Sequence, residues 1–341
     1  FVFLSLIMSI NIYGAGIAGL SLAASLSENH FENYKIFEKA SDIRKSDTAI
    51  QLGFNCFQAL RDLGVLELVI NKSIRTNSLN IYSKNNFLKK TNIKGSLFIK
   101  RNDLIEILLS KIGSNKIVFN HKFNDKKTFK KDLNIDATGG RDGVDSGRIA
   151  SWGVTNLSAN HDKMFKELNL FMFPGMHLVT YPLTDNQLSW TYIRKSNNKK
   201  NNDIIKDILH PIDDRNFEAL ISKTIRLHFK NKCNYLNDNK KVLEIGDAAH
   251  QFLPHLAQGA TQSLIDGLFV SKYLIKNNFD EYIDNQKFSD FSRRRLKLLN
   301  KINYQSRINA DVFQIENQFI SRVRDFVIRF NTPSYNWLFN S

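Results

Sequence analysis

The chain has 341 residues, 42% of them hydrophobic, and its 48 Lys and Arg residues against 33 Asp and Glu give a formal net charge of +15. This composition excludes a disordered or fibrous protein and allows one large domain or two closely joined ones. The basic residues are scattered, which favours a diffuse positive field over a nucleic-acid-binding patch. Cys56 and Cys233 lie far apart, with no CxxC and no companion cysteines for a disulfide framework or a metal cluster.

The first residues form an apolar run, FVFLSLI, with no basic residues before it and no small-residue cleavage site after it. The run is too short to cross a bilayer. We predict that residues 1–7 are an upstream extension and that the protein is cytoplasmic, without stable membrane insertion, bound metal or bound nucleic acid. The sequence leaves open whether it is a monomer or a homodimer.

A β-α-β unit is predicted near the N-terminus, with strands at residues 10–13 and 34–38 around a helix at 20–26. The turn before the helix reads GAGIAG, which fits GxGxxG. Glycines at this spacing allow a tight turn, close approach of the backbone to a pyrophosphate, and close packing of helix on strand. Glu38 ends the second strand, where a carboxylate can accept hydrogen bonds from ribose hydroxyls. The candidate dinucleotide-binding residues are Gly14, Ala15, Gly16, Ala18, Gly19, Glu38 and Lys39.

The remaining elements alternate between the helical and the strand period. We predict a helix at residues 54–70, a hairpin at 79–90, a helix at 102–111 and a return strand at 133–136. Residues 146–229 then change to longer alternating strands, which predict a second sheet. A buried strand returns to the first sheet at residues 241–245, and helices follow at 258–275 and 279–314.

The most specific motif is VLEIGDAAHQFLPHLAQGATQSLIDG at residues 242–267. Gly246 ends the strand, so that Asp247 can reach the hydroxyl groups of a ligand, and a helix beginning near Gly259 points its N-terminus at the same place. The run resembles the GDAAH motif of class A flavoprotein monooxygenases, the FAD-dependent aromatic hydroxylases. LPHLAQGA and PGMHLVTYPL are most similar to the salicylate hydroxylase-like branch, and RNDL at residues 101–104 resembles the RxDL segment of the family.

This resemblance implies an α/β protein with a Rossmann-like FAD-binding domain, a mixed or antiparallel-sheet substrate domain and C-terminal helices. We place the FAD-binding domain at residues 8–145 and 237–314, the substrate-domain sheet at 146–236 and a C-terminal segment at 315–341. The resemblance adds these candidate FAD ligands to those above: Arg101, Gly246, Asp247, Pro254 and Gly259.

The resemblance also implies the activity. NAD(P)H would reduce FAD, O₂ would give a flavin C4a-hydroperoxide, and this species would hydroxylate a phenolic or aromatic-acid substrate. His177 lies in an alternating strand and shares one face with Val179 and Tyr181. If that face lines the ring pocket, the histidine can take the phenolic proton. His255, in the loop expected to border the flavin, is the second catalytic candidate, and His250 is expected to be structural.

The middle motif of the family, usually GADGxxS, can be aligned in two ways. One alignment places Asp142 on the family aspartate. The other keeps a buried strand at residues 133–135, places Thr138 on that aspartate and shortens the loop after Gly139; we prefer it. Two alternatives stay open beside the aromatic hydroxylase: a quinone-biosynthesis hydroxylase of the same family, and a flavin-binding oxidoreductase without hydroxylase activity. A flavin-dependent halogenase is disfavoured because the chain lacks a WxWxIP segment.

Overall fold

The computed structural model describes residues 9–44, 46, 48–123, 132–140, 143–157, 166–197, 208, 221–236, 242–277, 285–331 and 336–339. The strands are β1 (Ile10–Tyr13), β2 (Tyr34–Phe37), β3 (Ala49–Leu52), β4 (Ile74–Ser83), β5 (Asn86–Lys100), β6 (Ile117–Val118), β7 (Leu133–Asp136), β8 (Val144–Asn156), β9 (Leu168–Phe173), β10 (Met176–Thr184), β11 (Gln187–Lys195), β12 (Ile221–Phe229) and β13 (Leu243–Glu244). The α-helices are α1 (Ile17–Glu28), α2 (Phe57–Asp62), α3 (Leu66–Asn71), α4 (Arg101–Leu109), α5 (Asp247–His250), α6 (Gly259–Lys276), α7 (Asn285–Phe313), α8 (Gln318–Phe330) and α9 (Asn336–Phe339).

The smaller sheet is parallel throughout and has the strand order β13-β7-β1-β2-β6. Its central strand, β1, is buried at all four residues, as expected for a parallel sheet covered on both faces. Helix α1 follows β1 and packs against α6. Starting from β1, the order is that of a Rossmann-like domain, so the predicted fold class is confirmed. Because all the strands run the same way, the residues that follow β1, β2 and β7 meet at one edge.

The larger sheet is mixed and has the order β12-β8-β11-β10-β9-β4-β5-β3. All its pairs are antiparallel except β4 with β9, which run parallel with Leu79 opposite Leu168. The prediction confined this sheet to residues 146–236, and that assignment is corrected, because β3, β4 and β5 belong to it. The pairing of β4 with β9 joins segments that are far apart in sequence, and local patterns do not reveal such a pairing. The domain boundaries otherwise stay a prediction.

Two predicted helices differ in detail from those in the structure. The helix predicted at residues 54–70 is a 3₁₀ turn, Phe54–Cys56, followed by the separate helices α2 and α3. The break falls at Gly64, whose φ of +62° ends an α-helix. No secondary structure was assigned to the C-terminal segment from the sequence, and in the structure this segment contains α8 and α9. No helix among the described residues is both long and apolar enough to span a bilayer.

Candidate cofactor and substrate site

The three glycines of the GxGxxG turn have different surroundings. Gly14 has a φ of +111°, and a Cβ there would lie 2.5 Å from the carbonyl oxygen of Ala137. A Cβ on Gly19 would lie 2.0 Å from the carbonyl oxygen of Gly14. At Gly16, by contrast, no described heavy atom beyond its neighbours in the chain lies within 4 Å of the Cβ position. The first and third glycines therefore let strand, turn and helix pack closely, while the second leaves the open surface that a pyrophosphate needs.

Two helix N-termini are free to bind an anion. Helix α1 begins after Gly16 and α6 begins at Gly259, and in neither does a side chain from the described residues cap the first turn. Apart from its chain neighbours and the backbone of its own helix, no described heavy atom lies within 4 Å of a Cβ built on Gly259. Uncapped backbone N–H groups at a helix N-terminus carry partial positive charge and bind phosphate.

Three predicted FAD ligands from distant segments come together at this edge of the sheet. The Oε2 atom of Glu38 accepts a hydrogen bond of 2.9 Å from the backbone N–H of Ala15, which places the carboxylate against the glycine turn. Arg101, at the start of α4, interacts electrostatically with both Glu38 and Asp247. Gly246 packs against α1, because a Cβ there would lie 2.7 Å from Cβ of Ala18. The predicted residues of the turn, of α4 and of the GDAAH motif therefore form one site.

Asp247 is accessible to solvent, yet protein atoms surround it. Desolvation raises its pKa, and the charge of Asp266 acts in the same direction, whereas His250 and Arg101 oppose the shift. A carboxylate held this way accepts hydrogen bonds readily from ligand hydroxyl groups. Of the other candidates, Ala15 and Ala18 are buried in the turn, while Lys39 and Pro254 are exposed.

A buried ionic network is hydrogen-bonded to the backbone of Gly246. Asp266, in α6, is fully buried and accepts hydrogen bonds from Tyr235, Arg295 and the backbone N–H of Gly246. Its Oδ2 atom lies 2.6 Å from Nε2 of His250. Burial alone would raise the pKa of Asp266, but His250 and Arg295 outweigh it and hold that pKa well below its usual range. His250 therefore contacts the network rather than the open site, in agreement with its predicted structural role.

The two catalytic candidates form a buried pair. The imidazole rings of His177, on β10, and His255, in the 3₁₀ turn Pro254–Leu256, have centroids 4.9 Å apart, and Phe313 packs against both. Desolvation, aided by Arg148, lowers the pKa of His177 to about 3. Desolvation, His177 and Arg148 also lower the pKa of His255 well below its ordinary value. Both rings are therefore neutral near pH 7.

Gln314 fixes the tautomer of His177. The guanidinium of Arg148 can only donate, and its Nε atom lies 2.9 Å from Oε1 of Gln314. The amide nitrogen of Gln314 therefore faces the other way, donating to the carbonyl oxygen of Ile193 at 3.0 Å and to Nδ1 of His177 at 3.1 Å. Because Nδ1 accepts, the proton of neutral His177 lies on Nε2. In this state His177 is a hydrogen-bond donor at Nε2.

The ring nitrogens of His255, unlike Nδ1 of His177, have no hydrogen-bond partner among the described residues. The side chain is nevertheless only 8% exposed. A buried polar group without a partner is costly, so such groups are rare outside functional sites. The turn that carries the ring is held by the amide of Asn309, which donates to the backbone carbonyl of His255 at 3.3 Å. The free nitrogens are available to a ligand.

The buried state of His177 predicts a pH dependence of stability. In the unfolded chain a histidine titrates near pH 6.5, whereas folded His177 takes up a proton only near pH 3. The unfolded state therefore binds more protons between these values, and the free energy of unfolding falls as the pH falls through them, by about 1.4 kcal/mol per pH unit. In urea unfolding, a change from about pH 6.5 to about pH 5 should cost the wild type about 2 kcal/mol more than His177→Gln. Equal losses would contradict the assignment.

Several residues of the site did not emerge from the sequence patterns. Arg148 and Gln314 are 166 residues apart, and no local spacing links them. The positive charge of Arg44 acts on Arg101, and both act on Lys223. Desolvation is the main cause that lowers the pKa of Lys223, and the charges of Arg44 and Arg101 lower it further. Arg44 lies within residues 37–67, a stretch that is similar to the class A flavoprotein monooxygenases, and this similarity was the available signal. Asp142, which the alternative alignment places on the family aspartate, lies outside the described residues. The buried strand that the preferred alignment keeps agrees with the position of β7.

Comparison with known proteins shows which proteins this chain resembles in sequence and in fold. Monooxygenase 1 of Arabidopsis thaliana is 24% identical, in an alignment that covers 82% of this chain and 86% of that protein. An FAD complex of a variant HpxO from Klebsiella pneumoniae matches 98% of this chain and 97% of that chain with a TM-score of 0.76 at 14% identity. A salicylate hydroxylase substrate complex matches 98% and 95% with a TM-score of 0.74 at 19% identity. The chain has the fold of the FAD-dependent aromatic monooxygenases.

The resemblance predicted from the motifs is thereby confirmed. No protein-family model matches the chain. The monooxygenase fold nevertheless extends over almost the whole chain, including the larger sheet and the C-terminal helices, so the likeness is not limited to a dinucleotide-binding half. Within that fold, the residues of the glycine turn, Arg101 and the GDAAH motif occupy one site, and the two buried histidines belong to the loop and sheet beside it.

Proposed function

We propose that this protein is an FAD-dependent monooxygenase that hydroxylates a phenolic or aromatic-acid substrate, using NAD(P)H and O₂. One observation carries the proposal: the glycine turn, Glu38, Arg101 and Asp247 converge at one sheet edge, and the loop that follows Asp247 leads to a pair of buried neutral histidines. The first group fits a dinucleotide cofactor. The histidine pair fits recognition of a hydroxyl group or carboxylate on an aromatic ring.

The residues present fit FAD. The open surface at Gly16 and the uncapped N-terminus of α1 would hold the pyrophosphate, and Glu38 would accept hydrogen bonds from the adenosine ribose. Asp247 would accept hydrogen bonds from the ribityl chain, beside the N-terminus of α6 at Gly259. When bound, FAD supplies hydride acceptance from NAD(P)H and activation of O₂, which no side chain can supply.

A cluster of cations supports the binding of anionic ligands at this edge. Arg44, Arg101 and Lys223 come from the loop after β2, from α4 and from β12, and their charges act on one another. Glu38 and Asp247 also act on Arg101, but the like charges of the cluster still repel one another and favour a bound anion. The pyrophosphate of FAD, or the phosphates of the nicotinamide co-substrate, would neutralise this cluster.

We assign different tasks to the two histidines. Gln314 holds His177 with its proton on Nε2, so His177 would donate a hydrogen bond to a substrate oxygen as the negative charge develops there. The ring nitrogens of His255 have no partner in the described part of the chain, so its unprotonated nitrogen would accept the hydrogen bond of the ring hydroxyl. The low pKa values keep both rings neutral, and a neutral pair positions the substrate without adding a buried positive charge.

The proposal is tested with purified protein and a panel of phenols and aromatic acids. Absorbance would report bound flavin, NAD(P)H oxidation would report turnover, and product mass would distinguish hydroxylation from release of peroxide. We expect a yellow protein, or one that takes up added FAD, and at least one substrate that both accelerates NAD(P)H oxidation and gains one oxygen atom. Flavin binding without any accelerating substrate would leave an oxidoreductase that lacks hydroxylase activity.

His255→Asn is expected to lower kcat/KM on the order of 100-fold, because it removes the proposed hydrogen-bond acceptor. The Kd for FAD should change less than about twofold, since the ring is not among the proposed FAD ligands. His30→Asn is the matched control. His30 is exposed just beyond the end of α1 with a φ of +59°, a conformation that asparagine also adopts readily. Unchanged kcat/KM in His255→Asn would refute the role of His255.

A further inference from the structure

Helix α8 presents its apolar side to solvent. The outward residues recur at helical spacing and form one continuous face: Phe319, Ile320, Val323, Phe326, Val327 and Phe330. Each is about half exposed or more, and Phe319 and Phe330 are 75% and 74% exposed. Single exposed apolar side chains are ordinary, but a contiguous apolar face marks an interaction site.

The opposite side of α8 holds the helix to the protein. Arg324 is buried there, donating to the carbonyl oxygen of Val312 at 3.1 Å and to the hydroxyl of Ser83 at 3.3 Å. Ile328 packs into an apolar cluster with Ile81 and Met172. The helix begins with a side-chain cap, since Asn317 accepts hydrogen bonds from two backbone N–H groups of the first turn. An amphipathic helix would ordinarily bury its apolar face, so the orientation of α8 is the reverse of the usual one.

The charges around the apolar face are positive. Arg322 and Arg329 are exposed and lie seven residues apart, which places them on the same border of the face, two turns from one another. Asp325, the one acidic residue within α8, forms an ion pair of 2.8 Å with the buried Arg324 and lies on the inward side. The outward surface of α8 therefore carries cations and no anion.

The hairpin that contacts α8 has exposed residues of the same kinds. Helix α8 contacts β5, and Arg324 reaches Ser83 at the β4–β5 turn. In that hairpin Phe87 is 52% exposed, and Lys84 at the turn is exposed as well. The hairpin against which α8 packs therefore also carries an exposed aromatic side chain and an exposed cation.

We propose that the outward face of α8 is a peripheral docking surface for an anionic lipid membrane. Phenylalanine and aliphatic side chains bordered by arginine are the composition of helices that lie in the plane of a membrane interface. Apolar side chains enter the acyl boundary, and the arginines contact anionic headgroups. A second copy of the chain fits less well, because it would bring Arg322 and Arg329 near their own counterparts without an acidic residue on the face to offset them.

Vesicle sedimentation tests the proposal with the full chain. The protein is mixed with vesicles of phosphatidylcholine alone or of phosphatidylcholine with phosphatidylglycerol. We expect binding to the anionic vesicles that weakens at high salt, and at least about tenfold weaker binding to the neutral ones. Protein that stays in the supernatant with anionic vesicles would overturn the proposal. The measurement requires neither bound FAD nor turnover, so its outcome is independent of the proposed activity.

Two paired variants locate the surface. Phe326→Ser with Phe330→Ser should weaken vesicle binding at least about tenfold, because two exposed rings no longer enter the bilayer. Tyr304→Ser is the control, since Tyr304 is 65% exposed on α7. Arg322→Gln with Arg329→Gln should remove most of the preference for anionic vesicles, whereas Lys276→Gln with Lys297→Gln, two exposed cations on other helices, should not.

Light scattering tests whether a second copy of the chain, rather than a membrane, covers the outward face of α8. If wild type is a dimer that the phenylalanine pair converts to a monomer, and neither form binds vesicles, a second copy covers the face and the membrane proposal fails. Equal loss of vesicle binding in the Tyr304 control would also contradict it. Because all these side chains are exposed, we expect the variants to remain folded, and circular dichroism of each one checks this directly.

Discussion

Gly19→Ala is expected to lower the free energy of unfolding by about 2–4 kcal/mol and to abolish stable FAD binding. A Cβ at this position would lie 2.0 Å from the carbonyl oxygen of Gly14, so strand, turn and helix would have to move apart. The gain in helix propensity on replacing glycine by alanine, about 1 kcal/mol, does not offset that displacement. Urea unfolding of the flavin-free protein measures the loss.

Gly16→Ala is the matched control for this prediction. The position has space for a Cβ and an extended backbone, so we expect the free energy of unfolding to change by less than about 1 kcal/mol. FAD binding should nevertheless weaken at least about tenfold, because the methyl group would occupy the surface that the pyrophosphate approaches. Gly19→Ala would thus lower both the free energy of unfolding and FAD binding, whereas Gly16→Ala would lower mainly FAD binding. Equal stability of the two variants would contradict the packing role of Gly19.

Asp266→Asn is the second change with a large expected effect, about 3–5 kcal/mol in the free energy of unfolding. The substitution leaves the guanidinium of Arg295 buried without its carboxylate and places an amide where Tyr235, Arg295 and the N–H of Gly246 all donate. Because the network holds Gly246 against α1, FAD affinity should fall as well. Chemical unfolding and flavin titration measure the two effects separately.

The same network predicts a response to acid. The folded pKa of Asp266 lies far below that of an unfolded aspartate, about 3.9. Its contribution is therefore complete above that value and is lost as the pH falls below it. Asp266→Asn should be less sensitive to pH in this range than wild type. Asp62→Asn is the control, since Asp62 pairs with the exposed Lys272 at the surface and its loss should cost less than about 1 kcal/mol.

The sequence by itself predicted which residues meet at the candidate cofactor site. The GxGxxG turn, Glu38 and the GDAAH motif were predicted because each is a local pattern attached to the end of a strand. Strands of a parallel sheet that run the same way bring such ends to one edge, so adjacency followed from the β-α-β arrangement. The structure places Ala15, Glu38, Arg101 and Asp247 accordingly.

The tertiary structure alone decided the state of the histidines and the orientation of α8. The proton position on His177 depends on Gln314 and Arg148, which no sequence spacing connects to it. The prediction placed the hairpin of β4 and β5 within the FAD-binding domain, because no local pattern shows that β4 pairs with the distant β9. Likewise, a helical pattern shows that α8 has an apolar face but not which way that face points. Local patterns define elements and turns, whereas long-range pairing and burial depend on which surfaces the folded chain brings together.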